Sequence, residues 1–393
     1  MKNRRSRILQ VVFLAVVSSL SPFFVIDTSV ASRQARTSLN PQKGQAVSVE
    51  IYNTWSVSPQ GDRLALPVWR SAKQSTYLLI VDLKGSCVRC NVNDANEPAW
   101  SYDGELLAFS EETGREINPF FTASSIGLYS WRNGSSTTMS TANYVDKYPS
   151  WSNDGKAIAF ARIKMGNPLK LEGTDAQIMI ASLGQAASSG VHAVGPNLIH
   201  MSTDMLQWRP SHNEIAFIGV ANLRLRNDKP VRLNDIYLLN VGKSSLEKLT
   251  QSHDIEHYSH ALIWSPDGRY IAFVTGIRHS QTLEVMDVGS RKRTVIFRTS
   301  NPKLRGFRKI ESLNWSPDGR RLVFTASRYD LGQGNIGIIE WPNREFKWLT
   351  QDHLSKAPRW TSDDKIMFIH NGNEIWQMAP DGSRSKKVYA VSR

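Results

Sequence analysis

Short apolar runs and polar turns alternate along the chain on one recurring plan. An aromatic residue precedes a turn of the Ser-Pro-Asp-Gly kind, and three apolar residues follow, ordered large, small, large. Trp264-Ser265-Pro266-Asp267-Gly268 leads into Ile271-Ala272-Phe273, and Trp315-Ser316-Pro317-Asp318-Gly319 into Leu322-Val323-Phe324. Looser copies begin at Trp100 and Trp151 and reach Leu107-Ala108-Phe109 and Ile158-Ala159-Phe160. Two have degraded turns: Trp208-Arg209-Pro210 before Ile215-Ala216-Phe217, and Trp360-Thr361-Ser362-Asp363-Asp364 before Ile366-Met367-Phe368. A first copy has Val57 at the aromatic position, then Ser58-Pro59-Gln60-Gly61 and Leu64-Ala65-Leu66. Positions 57, 100, 151, 208, 264, 315 and 360 are equivalent, at steps of 43 to 57 residues. A period near 50 is that of propeller blades or solenoid units.

The turn chemistry makes the first two apolar runs of each repeat a hairpin. Pro presets φ for the turn, and Asp-Gly tolerates the conformation that follows. Side chains on a strand point alternately to opposite faces, so Ile-Ala-Phe puts bulk on one face and Ala on the other. That suits sheets stacked face to face. A third strand follows, as in Tyr77–Val81, Asp235–Leu239, Thr282–Met286 and Glu374–Met378, and a fourth in Leu246–Thr250 and Phe346–Thr350. Helical spacing is scarce. The pattern predicts an all-β chain, a β-propeller of seven four-stranded antiparallel blades over residues 48–393.

The run WSPDG, IAF, DIYLLN and KLT, as it stands at Trp264–Gly268, Ile271–Phe273, Asp235–Asn240 and Lys248–Thr250, resembles the TolB-type propeller repeat, a relative of the WD-repeat propellers. The resemblance covers about residues 50–390. It implies a propeller fold. TolB-like proteins carry an α/β domain before a six-bladed propeller; here a polar stretch, 32–47, precedes seven repeats. A role in the Tol–Pal system is therefore not carried over.

The first residues read as an export signal, 1–31. Lys2, Arg4, Arg5 and Arg7 precede an apolar run from Ile8 to Ile26, and Ser29-Val30-Ala31 offers a cleavage site. An uncleaved signal anchor is the alternative, and it is the one route to a membrane. The expected location is periplasmic or secreted. The net charge is +13, and +10 without the signal. An exported basic protein points to acidic partners, an envelope protein or an anionic polysaccharide, rather than to nucleic acid. Simple solubility is the plainer reading of the same charge. A monomer is expected.

Cys87 and Cys90 form a CxxC. Redox and zinc chemistry use this spacing, but a redox pair wants a helix N-terminus and zinc wants four ligands. A local disulfide is the remaining expectation in an oxidising compartment, and it needs a bulge or turn there.

In a four-stranded blade the A–B and C–D turns share one face, and the B–C and D–A loops share the other. The A–B turns are compact. The longer connections, Glu111–Ser124, Arg162–Asp175, Val220–Asn234, Arg328–Gly334, Ser188–Asp204, His253–His260 and Asn301–Glu311, all fall on the second face. Long loops on a rigid scaffold carry binding sites; drift of surface loops is the plain alternative. The candidate ligand contacts there are basic: Arg224, Arg226, Lys229 and Arg232, then Lys303, Arg305 and Arg308, beside Arg162, Lys164, Lys170 and Lys309. The residues four before each aromatic position are Asn53, Asn96, Lys147, Asp204, His260, Glu311 and Lys356. All are polar, and they are placed at the channel mouth.

His253, His257 and His260 form the one dense metal-like cluster. It resembles, in location, the metal site of oligogalacturonate-type propeller lyases, so a divalent metal and a metal-dependent polysaccharide lyase stand as the alternative function. The chain has no nucleophile elbow or P-loop. Asp103, Asp154, Asp267 and Asp318 read as turn caps rather than as catalytic carboxylates. The expectation is an exported, non-enzymatic binding or scaffold propeller without a cofactor.

Overall fold

Each turn is closed by its own side chains. In the computed structural model the Ser101 hydroxyl donates to Asp103 Oδ1 (2.6 Å) and accepts the Leu106 N–H (2.9 Å), while Asp103 Oδ1 also takes the Glu105 N–H. Ser152 with Asp154, Ser265 with Asp267 and Ser316 with Asp318 repeat the arrangement. The degraded copies improvise. Asp62 replaces the missing Asp opposite Ser58, Thr361 replaces Ser opposite Asp363, and Arg209 pairs with Glu214 (2.6 Å).

The structure describes residues 48–392 apart from 72–74, 84–86, 119–120, 141–143, 165–174, 185–189, 199–200, 225–229, 252–260, 278–279, 301–306, 308 and 329–333. One compact unit holds 48–223 and 231–393. A second unit, 1–47 with 224–230, falls almost wholly outside the described residues, and so does the expected signal segment.

The described residues of the large unit are all strand and turn, with no helix. Four sheets have four strands and one, Val49–Asn93, has five. Each of these is a single antiparallel blade. The expectation of seven separate blades is corrected at repeats two and three, whose strands form one eight-stranded sheet. The cause is local. Val145 at the start of repeat three lies parallel to Ser124, whose N–H donates to Tyr144 O (3.0 Å) and whose hydroxyl donates to Asp146 O (2.8 Å). The structure thus has five separate blades and one eight-stranded sheet.

The large-small-large runs set the seams between repeats. Ile271 and Phe273 pack on Ala216, Ile218, Ile236 and Leu238 of the preceding repeat, while Ala272 faces Trp315, Leu322 and Phe324 of the next. The same division recurs at the other seams. A further cluster joins the last repeat to the first: Leu64, Leu66 and Trp55 pack on Met367, Ile369 and Ile375. The ring therefore closes. In that first repeat Trp55, two residues before Val57, is the fully buried indole.

Successive A strands lie against one another at the centre: Ala95–Trp100, Val145–Trp151, Met201–Trp208, Ala261–Trp264, Lys309–Trp315 and Ser355–Trp360. The turn face is stitched from repeat to repeat. Arg63 Nη1 donates to Gly104 O, Arg209 Nε to Gly268 O and Arg321 Nη2 to Asp364.

Gly268 has φ +67°, and a Cβ there would stand 2.5 Å from Pro210 O of the neighbouring turn. Gly268→Ala is expected to cost about 1–3 kcal/mol, read as a lower urea midpoint; an unchanged midpoint refutes the close approach. The turn carboxylates predict acid sensitivity. The Ser101 hydroxyl and the Glu105 N–H hold Asp103 below the usual carboxylate range, and Ser152 with the Lys156 N–H does the same for Asp154. A carboxylate with a lowered native pKa adds stability above its unfolded value, and that stability is lost as pH falls through the native one. The thermal midpoint should hold down to about pH 5 and fall below about pH 4. A midpoint still flat near pH 3 would contradict this.

Candidate functional site: the channel mouth and the long rim

Five A strands carry the same irregularity. The ladder to the B strand shifts register after Asn96, Lys147, Asp204, Glu311 and Lys356. The next residue in each case, Glu97, Tyr148, Met205, Ser312 or Ala357, has φ between +52° and +58°. A left-handed non-glycine costs roughly 1–2 kcal/mol, so five at one level of the ring are imposed by the fold. The bulge turns the amide toward the seam. Tyr148 N–H donates to Glu97 Oε2 (2.9 Å) and Ala357 N–H to Thr325 Oγ1 (2.8 Å).

Five of the seven expected channel-mouth residues, Asn96, Lys147, Asp204, Glu311 and Lys356, thus stand directly before the bulge of an A strand. Asn96 Oδ1 accepts the Thr54 hydroxyl (2.5 Å) and the Glu97 N–H (2.8 Å). Lys356 Nζ meets Glu50 (3.2 Å), and Glu311 is paired with Lys309 and reached by the Ser327 hydroxyl (3.4 Å). Lys147 is half-buried. Asn53 lies in the turn that breaks the first A strand, and its Oδ1 is buried without a hydrogen-bond partner. The Asp204 side chain and His260 lie outside the described residues, as do His253 and His257. Among the described residues no group of three His, Cys, Asp or Glu is placed to hold a metal.

The rim differs from the loops expected of it. Glu111–Ser124 is mostly ladder: strands Leu106–Asn118 and Phe121–Ser130 stay paired as far as Asn118 and Phe121. Glu214–Arg224 and Pro230–Asn240 likewise run eleven residues each. Ser188–Asp204 is largely the strands Val191–Leu198 and Met201–Trp208. In repeat seven the corresponding strands have only five residues. The long B–C hairpins thus belong to repeats two and four.

Of the basic candidates, Arg224 and Arg232 end and begin long strands, with side chains outside the described residues. Arg226, Lys229, Lys303, Arg305 and Arg308 lie outside them entirely. Lys164 is exposed. Arg162 is consumed by structure. Its Nε and Nη2 form a two-pronged pair with Asp146 (2.9 and 2.8 Å), and Asp146 is fully buried. Burial pushes the Asp146 carboxyl up, against the pull of Arg162 and the Ser140 hydroxyl. Lys309 is occupied by Glu311. The strand Cys87–Asn93 shifts register twice against its partner, first between Leu78 and Ile80 and again between Ile80 and Val81. The cysteine side chains lie outside the described residues.

Two charged groups escape a reading of the repeats by motif. Asp146 and Arg162 sit sixteen residues apart and meet only across a strand pair. Arg359 stands directly before its repeat's Trp, where other copies hold Ser150, Gln207 or Asn314, so a column-by-column alignment exposes it.

Comparison with solved structures bears on the architecture. The chain is similar to an oligogalacturonate lyase in complex with manganese, with a TM-score of 0.60 and 13% identity over 83% of this chain and 87% of that one. The β-propeller domain of the trilobed protease from Pyrococcus furiosus gives 0.58 and 15%, over 88% and 99%. A putative TolB from Agrobacterium tumefaciens aligns at 20% identity over 68% and 89%, with a TM-score of 0.46. No protein-family model and no curated protein matches the chain. At such identities the first two likenesses extend to the fold and no further: the protein is a β-propeller.

Proposed function

We propose that this chain is an exported, non-enzymatic propeller of TolB-like ancestry that binds an acidic envelope protein or an anionic polysaccharide on its long-hairpin face. In this reading the eight-stranded sheet counts as two blades and the ring has seven. The observation that carries the proposal is the unlike treatment of the two faces. On the tight-turn face three arginines, Arg63, Arg209 and Arg321, are spent on the next repeat's turn. The opposite rim grows long hairpins in repeats two and four. Long elements on a rigid frame favour recognition, and the net charge of +13 favours an acidic partner.

The test is capture from envelope extract, with Arg224→Glu and Arg226→Glu combined. Charge reversal should weaken capture of acidic partners, most at low salt, because exposed charges are screened beyond about 8 Å at physiological ionic strength. Identical partners for parent and variant would defeat the reading. The competing reading, a metal-dependent lyase, draws on the fold likeness to the manganese-bound enzyme and on His253, His257 and His260. It requires bound divalent metal in the purified chain and loss of lyase turnover in His260→Ala.

A further inference from the structure

Where the last repeat meets the first, the polarity of the seam is reversed. At two other seams the side chain before the aromatic position accepts a hydrogen bond from the next repeat. Ser150 Oγ takes the Trp208 N–H (3.0 Å), and Asn314 Oδ1 takes the Trp360 N–H (2.7 Å). At the closing seam that position is Arg359, and it donates. Its Nε reaches Trp55 O (3.2 Å), Nη2 reaches Asn53 O (2.7 Å) and Nη1 reaches Pro358 O (3.0 Å). The guanidinium stands 5.7 Å from the centre of the Trp55 ring.

These partners satisfy hydrogen bonds but not charge. All three are neutral carbonyls, and no carboxylate meets Arg359 among the described residues. Burial pushes its pKa down to about 10, the sign of a cation taken from water without compensation. Each terminal nitrogen has two N–H groups and one acceptor, so one N–H on each is left over. The stretch 53–56, which receives two of the bonds, also holds two buried polar atoms without partners, Asn53 Oδ1 and Ser56 Oγ. Buried charges are normally paired. A guanidinium with spare donors can hold a planar carboxylate through two bonds, which a halide cannot accept in the same way. Arg359 is half-buried on the strand Ser355–Trp360, so its guanidinium is not wholly withdrawn from solvent.

We propose that the closing seam binds the carboxylate of a small organic acid, with Arg359 as its counter-charge and the Ser56 hydroxyl as a further donor. The site is separate from the long-hairpin rim and stands whether or not that rim binds a partner. Occupancy would neutralise the one seam where the ring's two ends meet, so the ligand would also stabilise the closed ring.

The experiment is a thermal-midpoint titration of the purified chain with acetate, inorganic phosphate or chloride at constant ionic strength. Acetate should raise the midpoint saturably, and the other two should not. Arg359→Lys keeps the charge and loses the fork, and should weaken the apparent acetate affinity about tenfold or more. Ser56→Ala, which removes one hydroxyl, should weaken it severalfold with the parent's circular dichroism retained. No saturable acetate response in the parent overturns the proposal. So does an acetate response unchanged in Ser56→Ala, which remains informative even where Arg359→Lys fails to fold. A response to phosphate with acetate inert overturns the choice of a carboxylate.

Discussion

Trp55→Ala is expected to cost about 3–5 kcal/mol and to open the ring at one seam. Trp55 is fully buried, and its indole N–H donates to Ala357 O (2.9 Å) of the last repeat. The first sheet is built from residues 49–93 and the last from 355–390, and among the described residues no strand is exchanged between them. Among those residues closure depends on the backbone bond from Ile51 N–H to Gly372 O (2.7 Å), on the Arg359 contacts, on the Lys356–Glu50 pair and on the apolar cluster that Trp55 fills. Removing the indole leaves a cavity at a joint that no strand ladder of the described residues spans. Urea denaturation measures the loss, with Phe346→Ala, at a side chain 36% exposed, as the mild comparison. A loss under about 1 kcal/mol for Trp55→Ala would mean that the ends are held in some other way.

Arg162→Met is expected to cost a similar amount, about 3–5 kcal/mol, because it strands the Asp146 carboxylate. Asp146 is wholly buried, and burial already pushes its pKa up with Arg162 present. A carboxyl raised in the native state favours folding at low pH, and that contribution is lost as pH rises through the native value. The variant should therefore be most impaired near neutrality and recover toward about pH 4, where the carboxyl is protonated. Adding Asp146→Leu should restore much of the loss, since an apolar pair avoids the cost of desolvating both ions. Denaturation midpoints of parent, single and double variants at the two pH values decide it. Equal losses at both would show that Arg162 acts by packing alone.

How much could be read in advance depends on the range of the contacts involved. The Ser-Asp turns were legible because their bonds span two to five residues and use residue types with few other uses there. The division of Ile-Ala-Phe between neighbouring repeats was legible because strand alternation is a property of the backbone. The hairpin from Leu106 to Ser130 was read as a loop between Glu111 and Ser124. Its Glu, Thr, Gly and Ser composition looks like a turn, and only the facing strand keeps it extended. Arg162 stands among the candidate ligand contacts in the sequence because Asp146, sixteen residues away, reaches it only through folding.

Sequence by itself determined the all-β character, the repeat and its phase, the two-faced strands and the polar residues at the inner level of the ring. Each follows from alternation and turn chemistry, which act over a few residues. Tertiary structure alone decided that repeats two and three share a sheet, that five A strands bulge into a left-handed conformation, and that Arg359 lies buried against neutral carbonyls. These depend on what a neighbouring strand or the far end of the chain supplies, and contacts some three hundred residues apart leave no local trace in either partner.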